Sequence, residues 1–360
     1  MSDLFDYLSW RGDLPLDKAP FCPVDALVLS ILSYLPLGGQ VPAHLPDTVT
    51  IHRIAGSPTL TPGAGIRFRC EEDYRLLRAL GRSLRFGSLA LTYFDDQFRP
   101  KEEMQFAAVS VLLPGGSAFL SFRGTDSTLV GWKEDFNMSF LDTVPAQRAS
   151  ADYARRLAAA WPGGLRLGGH SKGGNLAVFA ASLCPARYRD RIQAVYNFDG
   201  PGFTPHLLSQ PGYRELLTRI ETFLPQSSVV GMLLEHEEPY TVIRSNQVGL
   251  LQHDPYSWQV EGGDFIRLEE VTAGSRRLDR ALKSWLAGLT PEERGTIVDT
   301  LYALLSSGDA KLVAELIQPR NLATALRALR DTPGRDLVTL AASIGRLARS
   351  TVQALQKGLL

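Results

Sequence analysis

Cysteine is scarce in this chain of 360 residues, which contains only Cys22, Cys70 and Cys184. Three widely spaced cysteines predict neither a disulfide framework nor a CxxC metal site, and they fit a reducing compartment. Excess charge is missing as well, because 38 basic residues balance 38 acidic ones. A neutral chain gives no reason to expect a nucleic-acid partner or a strongly charged substrate.

The early part of the chain also lacks a long hydrophobic run. The longest, residues 26–37, is shorter than a membrane span. Residues 1–6 are acidic where a secretory signal would be basic, so we expect a cytoplasmic protein. Hydrophobic residues make up 44% of the chain and charged residues 21%, which is typical of a globular protein with a sizeable core.

Three regions follow one another along the chain. Residues 1–60 combine a buried-helix pattern with a loop rich in glycine and proline, and we expect them to pack on the core as a lead-in. Residues 61–274 alternate helical and strand-like stretches, which predicts an α/β fold with a mostly parallel sheet. Residues 275–360 have a helical pattern throughout and are predicted to form a C-terminal extension. Thr290, Pro291 and Glu293 mark a helix start within it.

One short stretch carries a chemical signal: residues 169–173, Gly-His-Ser-Lys-Gly, fit the Gly-x-Ser-x-Gly nucleophile elbow. A strand that reverses sharply into a helix leaves the serine in a strained conformation, and glycine two residues on either side avoids collision. Residues 164–168 are strand-like and residues 175–183 have an apolar helical pattern, so the context agrees. We therefore predict Ser171 as a nucleophile. The alternative is a glycine-rich turn with a chance serine.

A serine nucleophile needs a histidine base. The chain contains six histidines, His44, His52, His170, His206, His236 and His253. The first two precede the serine in the lead-in, and His170 adjoins the nucleophile, so its side chain is directed elsewhere. We favour His253 because it lies in a turn-rich stretch, residues 252–258, after strand-like residues 240–243. The alternative is a loop histidine that caps a turn.

The predicted acid is Asp199, which follows the apolar strand-like residues 194–198 and precedes a Gly-Pro turn. Such a strand would deliver the carboxylate to the edge of the sheet that also presents Ser171, where ligands bind in open α/β sheets. An aspartate that merely starts a turn is the alternative. Glu221 and Glu235 are rival acids.

An oxyanion hole requires two donors near the nucleophile. One is the backbone N–H of Lys172, the residue after the serine. The second is expected in the loop of residues 121–127, where Gly124 allows close backbone approach. The N–H and the hydroxyl of Thr125 could both face a substrate oxygen there.

These motifs resemble those of class-3 lipases of the fungal triacylglycerol-lipase type. The likeness covers residues 105–260 and rests on residues 122–125 (Phe-Arg-Gly-Thr), 132–136 (Trp-Lys-Glu-Asp-Phe) and 169–173. It implies an oxyanion role for Thr125. One feature departs from that family, because its acid follows the next strand, and the matching residues 224–231 contain no carboxylate.

The stretch Phe-Asp-Gly-Pro at residues 198–201 is instead similar to the Asp-Pro turn of pancreatic-type lipases, which supports Asp199 as the acid. Over the whole chain the sequence resembles the Mbeg-like bacterial family of lipase-like α/β-hydrolases. The matching stretches are residues 5–8, 10–13, 24–27, 169–175 and 252–254. This resemblance implies an α/β-hydrolase fold, with an N-terminal helical lead-in and a C-terminal helical extension.

We therefore expect a serine hydrolase that cleaves carboxylic esters, with acyl lipids as substrates. Ser171 would attack the carbonyl, His253 would transfer the proton, Asp199 would orient the imidazole, and the Thr125 and Lys172 amides would bind the oxyanion. No metal or cofactor is implied. A thioesterase or acyltransferase with the same three residues is the first alternative, and a non-catalytic binding scaffold is the second.

The C-terminal extension is expected to pack on the core or cover its mouth, since its apolar positions recur at helical spacing. The apolar stripe of its last helix consists of Leu337, Leu340, Ile344, Leu347, Thr351 and Leu355. Basic residues flank this stripe: Arg335, Arg346, Arg349 and Lys357. Peripheral contact with an anionic membrane surface is therefore the alternative. No protein partner is predicted.

Overall fold

The computed structural model describes residues 2–62, 65–126 and 128–307, together with residues 324, 334, 338–343, 345–346 and 349. Most of the predicted last helix lies outside this part of the chain, including Leu337, Ile344, Leu347, Thr351, Leu355, Arg335 and Lys357. Among the described residues, we find no helix with the length and apolar character needed to cross a membrane.

Helices and strands alternate through the middle of the chain. The helices are α1 (Leu4–Arg11), α2 (Pro23–Leu32), α3 (Ile51–Ala55), α4 (Glu71–Arg82), α5 (Leu129–Asn137), α6 (Pro145–Ala160), α7 (Lys172–Ser182), α8 (Ala186–Arg189), α9 (Pro205–Leu208), α10 (Pro211–Leu216), α11 (Ala273–Ala287) and α12 (Pro291–Leu305). The strands are β1 (Val49–Thr50), β2 (Ala90–Arg99), β3 (Met104–Leu112), β4 (Ala118–Phe122), β5 (Leu165–His170), β6 (Ile192–Phe198), β7 (Ile220–Pro225), β8 (Tyr240–Ile243), β9 (Val260–Glu261), β10 (Asp264–Phe265) and β11 (Arg267–Leu268). Short 3₁₀ turns cover Pro100–Glu102, Leu217–Arg219, Val230–Met232, Gly249–His253 and Pro255–Ser257.

Nine of these strands form one mixed sheet in the order β1-β2-β3-β4-β5-β6-β7-β8-β11. The central strands β4 to β8 pair in parallel. The strands at both edges pair antiparallel. The predicted α/β class is confirmed, and the parallel pairing occupies the centre of the sheet.

Both faces of the central sheet are buried, which explains why its strands are continuously apolar in sequence. Successive side chains of a strand point to opposite faces. Phe119 of β4 therefore belongs to a core shared with α1, α2 and α4. Its neighbours Leu120 and Phe122 belong to a second core, shared with α6 and α7. Ser171 and Lys172 lie where β5 passes into α7, between these two layers of helices.

A buried ion pair ties the N-terminal helices to the segment that leads into β2. Asp25 of α2 and Arg85 are both buried, with 2.7 Å between Asp25 Oδ1 and Arg85 Nε. The Tyr7 hydroxyl donates to the same carboxylate oxygen at 2.6 Å. Of the remaining guanidinium N–H groups, one donates to Asp25 Oδ2 at 2.5 Å, and the others donate to the backbone carbonyls of Leu14, Ala19 and Pro20. Each charge is thus fully compensated inside the protein.

Helix α12 of the C-terminal extension contacts α5. Thr290 caps α12 reciprocally with Glu293, as the sequence pattern predicts. Asp299 of α12 pairs with Lys133 of α5 at 2.8 Å. The Arg294 guanidinium donates to the Ser139 carbonyl just beyond α5. Helix α12 therefore supports the helix that carries Glu134 and Asp135.

We predict that Arg85→Leu lowers the free energy of unfolding by about 3–5 kcal/mol, because Asp25 would remain buried without its partner. Urea unfolding measures the change. Arg82→Leu is the matched control, since Arg82 is an exposed arginine in the neighbouring helix. Its effect should stay within about 0.5 kcal/mol. Equal losses in the two variants would contradict the account of the ion pair.

Candidate active site

The turn between β5 and α7 has the backbone conformation of a nucleophile elbow. Ser171 has a φ of +60°, which is uncommon for a residue other than glycine. A Cβ at Gly169 would lie 2.2 Å from the carbonyl carbon of Gly173. A Cβ at Gly173 would lie 2.1 Å from the Phe122 carbonyl oxygen. Neither position accepts a side chain, so the two glycines permit the turn that exposes Ser171.

The three predicted residues meet at this turn. His253 Nε2 lies 2.9 Å from Ser171 Oγ, and His253 Nδ1 lies 2.6 Å from Asp199 Oδ2. A carboxylate only accepts hydrogen bonds, so Nδ1 carries the proton and Nε2 accepts from the serine hydroxyl. The geometry therefore leaves the serine proton directed at an unprotonated imidazole nitrogen, as a general base requires.

The rival residues have other partners. His236 Nδ1 lies 2.8 Å from Glu238 Oε1, and its Nε2 lies 2.8 Å from the Gly231 carbonyl oxygen. Glu235 lies 3.5 Å from the Lys283 ammonium group. Among the described contacts, none joins His236 or Glu235 to the Ser171 hydroxyl.

Asp199 is held from the loop that follows β7. It directly follows β6, has a φ of +51° and is buried. Its Oδ1 accepts hydrogen bonds from Ser228 Oγ at 2.5 Å and from the Gly231 N–H at 3.2 Å. Oδ2 is left for His253. The stretch that lacks a carboxylate in sequence thus provides donors to Asp199 instead, a role that no sequence motif indicated.

The predicted oxyanion loop lies against the elbow. A Cβ on Gly173 would come 3.0 Å from the Gly124 nitrogen, so the two backbones are in close approach. The Thr125 hydroxyl donates to Asp135 at 2.6 Å from Oδ1 and 2.5 Å from Oδ2. This corrects one expectation, because the hydroxyl proton is directed at Asp135 rather than at a substrate. The Thr125 N–H remains as the candidate donor.

The side chain of Lys172 has a structural role that sequence reasoning missed. Its ammonium group is buried and lies 2.9 Å from Glu134 Oε2, 2.9 Å from the Gln105 carbonyl oxygen and 3.0 Å from Gln105 Oε1. Glu134 in turn accepts from the Ala146 N–H at 2.8 Å. The first residue of α7 is therefore fastened to β3, α5 and α6, and its N–H is held in place. The only sequence signal was the Trp-Lys-Glu-Asp-Phe stretch of residues 132–136.

Comparison with known proteins identifies the family. The Mbeg1-like family model matches residues 80–303. The chain belongs to the Mbeg1-like family. Among solved structures, the native Rhizomucor miehei lipase propeptide complex is similar, with 15% sequence identity and a TM-score of 0.38. That match covers 62% of this chain and 68% of the other chain. No curated protein matches the chain.

Within the described ranges, no group of three or more histidine, cysteine, aspartate or glutamate side chains is arranged to hold a metal ion. The carboxyl of Asp135, which accepts from the Thr125 hydroxyl, has a shifted pKa. Burial raises the pKa of its carboxyl to about 6, and the Lys172 charge and the Thr125 hydrogen bond limit that rise.

This shift predicts a pH-dependent stability of the Mbeg1-like protein. A folded-state pKa of about 6 for Asp135, above the usual value of 3.8, favours folding at low pH. That contribution is complete below about pH 3.8 and is lost as the pH rises through 6. Relative to wild type, Asp135→Asn should therefore gain about 3 kcal/mol of unfolding free energy between pH 4 and pH 8.

Urea unfolding of both proteins across this range measures the gain. Asp190→Asn, at an exposed position, is the matched control and should follow the wild-type curve. A constant difference between Asp135→Asn and wild type would show that Asp135 titrates normally.

Proposed function

We propose that this protein is a serine hydrolase of the α/β-hydrolase fold that cleaves carboxylic esters of acyl lipids. The observation that carries the proposal is the continuous chain of hydrogen bonds from Ser171 through His253 to Asp199. A strained serine, an imidazole directed at it and a buried carboxylate behind the imidazole are the parts that nucleophilic catalysis needs. A purely structural scaffold has no need of this combination.

In the proposed reaction, Ser171 Oγ attacks the ester carbonyl while His253 Nε2 takes the hydroxyl proton. The tetrahedral intermediate then collapses, and the imidazolium returns the proton to the departing alcohol. Water then attacks the acyl-serine and loses a proton to His253; when the bond between the acyl carbon and Ser171 Oγ breaks, the imidazolium returns that proton to Oγ and the acid is released. Asp199 stabilises the imidazolium and keeps the ring in the required tautomer throughout.

The developing oxyanion is stabilised by the N–H groups of Thr125 and Lys172. Neither amide donates a hydrogen bond to another protein group within the described part of the chain, so both are free to bind substrate. Each is also fixed in place by its side chain, through Asp135 and Glu134 respectively. Preorganised donors of this kind lower the barrier because they need no reorientation during the reaction.

Exposed apolar side chains beside His253 support an acyl-lipid substrate. Val248, Leu250 and Leu251 are 74%, 68% and 63% exposed, and they lie in and beside the 3₁₀ turn that ends at His253. Residues 245–253 contain no charged side chain apart from the histidine. An exposed apolar patch next to a reactive group fits a substrate that is itself apolar.

The first prediction of this proposal concerns the nucleophile. Ser171→Ala should abolish covalent labelling by a fluorophosphonate and lower ester turnover by several orders of magnitude, on the order of a million-fold. Labelling is followed by intact-protein mass spectrometry. Ser227→Ala is the matched control, because Ser227 is a partly exposed serine outside the elbow. Persistent labelling of Ser171→Ala would mean that another residue is the nucleophile.

The second prediction concerns the substrate. Replacing Val248, Leu250 and Leu251 together with serine should slow hydrolysis of an emulsified long-chain ester about tenfold, because apolar contact area is lost. Hydrolysis of a soluble short-chain ester should not change. A Leu84→Ser, Phe98→Ser double variant is the control, since both residues are exposed and apolar on other elements. An equal loss on both esters would argue against a lipid-binding role.

A further inference from the structure

His170, the residue before Ser171, makes contacts that the proposed reaction does not use. Its side chain is buried between the elbow and the loop that carries His253. His170 Nε2 lies 2.8 Å from the backbone carbonyl oxygen of His253. Its Nδ1 lies 3.3 Å from the Tyr34 hydroxyl. The two imidazole rings are 4.6 Å apart between centroids.

The chemistry of these partners determines the state of the His170 ring. A carbonyl oxygen only accepts, so Nε2 must carry the proton, and Nδ1 then accepts from the Tyr34 hydroxyl. Burial lowers the pKa of His170 well below its usual value, and nearby His253 acts in the same direction. The ring is therefore neutral and has one donor, which it directs at the backbone of His253.

His253 needs such an anchor because its own turn is exposed. The residue is 28% exposed at its side chain and ends a turn whose preceding apolar residues face solvent. The bonds to Ser171 and Asp199 orient the ring but do not fix the backbone. The His170 bond holds the His253 carbonyl itself, next to the Gln252 carbonyl that accepts from Trp258 Nε1 at 2.8 Å, so the ring is positioned from both ends.

We infer that His170 is a positioning residue, which holds the backbone of His253 so that its imidazole stays in reach of Ser171. This inference rests on the proposed function. His170 occupies the first variable position of the Gly-x-Ser-x-Gly motif, and the inference assigns a role to that position. The His170 side chain is directed away from Ser171 and holds the backbone of His253 instead.

The N-terminal helices complete this support. The single Tyr34 hydroxyl proton is shared between His170 Nδ1 and the His170 carbonyl oxygen, which lies 3.2 Å away. The Arg69 guanidinium lies over the Tyr34 ring at 4.2 Å. Arg69 binds Asp73 at 2.9 Å, and Asp73 accepts from the Tyr256 hydroxyl at 2.8 Å.

Tyr256 lies three residues after His253, so the loop is held on both sides of the histidine. Tyr34, Arg69 and Asp73 all precede residue 80, where the family match begins. The N-terminal segment is thus part of the support of the site as well as a cover for the sheet.

The test compares His170→Leu with His170→Gln. Leucine fills the space but has no donor, whereas the glutamine amide can donate to the His253 carbonyl. His170→Leu should lower kcat and the rate of fluorophosphonate labelling about tenfold to a hundredfold, with KM unchanged. His170→Gln should recover most of that loss. Tyr34→Phe should show a smaller loss, because only the support of the His170 ring is removed.

The matched control is His52→Leu. His52 Nδ1 lies 2.8 Å from the Gly81 carbonyl oxygen, which is the same kind of bond in the N-terminal layer. Its loss should leave kcat and labelling unchanged. If His170→Leu does not fold, His170→Asn takes its place, because the shorter amide cannot span the distance to the His253 carbonyl.

Hydrogen exchange of residues 249–257, measured without substrate, tests the positioning role of His170 separately from the proposed hydrolase function. Exchange should be faster in His170→Leu and close to wild type in His170→Gln. If the unmodified protein resists labelling and hydrolyses no ester, the proposed function fails, and exchange alone then decides whether His170 holds the loop. The inference would be overturned if His170→Leu kept the labelling rate and the hydrogen exchange of the wild type. It would also be overturned if His170→Leu and His170→Gln lost kcat and labelling rate to the same extent.

Discussion

The close approach of the elbow to the end of β4 is the constraint on which the rest of the site depends. Because Gly169 and Gly173 carry no Cβ, the turn can pass close to the Phe122 carbonyl. That contact forces Ser171 into its positive φ and directs its hydroxyl out of the sheet. It also places the start of α7 beside the loop that follows β4. The candidate nucleophile and both candidate oxyanion donors are therefore placed by one backbone contact.

Buried charge surrounds this contact, and each charge has a partner. Lys172 faces Glu134, and Asp199 faces His253 with further donors from Ser228 and Gly231. Burying such charged groups costs free energy unless protein hydrogen bonds replace those lost to water. A buried network in which every group is hydrogen-bonded is rigid. The rigidity serves the proposed chemistry, because donors and acceptors stay in place while charge moves between Ser171 and His253. The Asp25–Arg85 pair shows the same principle in a purely structural setting.

Sequence reasoning located the residues that belong to a local pattern and missed those brought in by tertiary contacts. Ser171 follows from its elbow, and Asp199 and His253 follow from strand ends and chain order. Asp135, Ser228 and His170 act through contacts 10, 29 and 83 residues distant in the chain, for which spacing carries no signal. The sheet behaves likewise. Its apolar central strands were predictable, whereas the two-residue edge strands β1 and β11 have no period to detect.

The most direct test of the account is a crystal structure of the protein after reaction with a phosphonate ester. The account predicts a bond between phosphorus and Ser171 Oγ, with a phosphonyl oxygen accepting hydrogen bonds from the N–H groups of Thr125 and Lys172. His253 should remain between the modified serine and Asp199. Phosphorus on another residue, or an oxygen directed away from both amides, would contradict it.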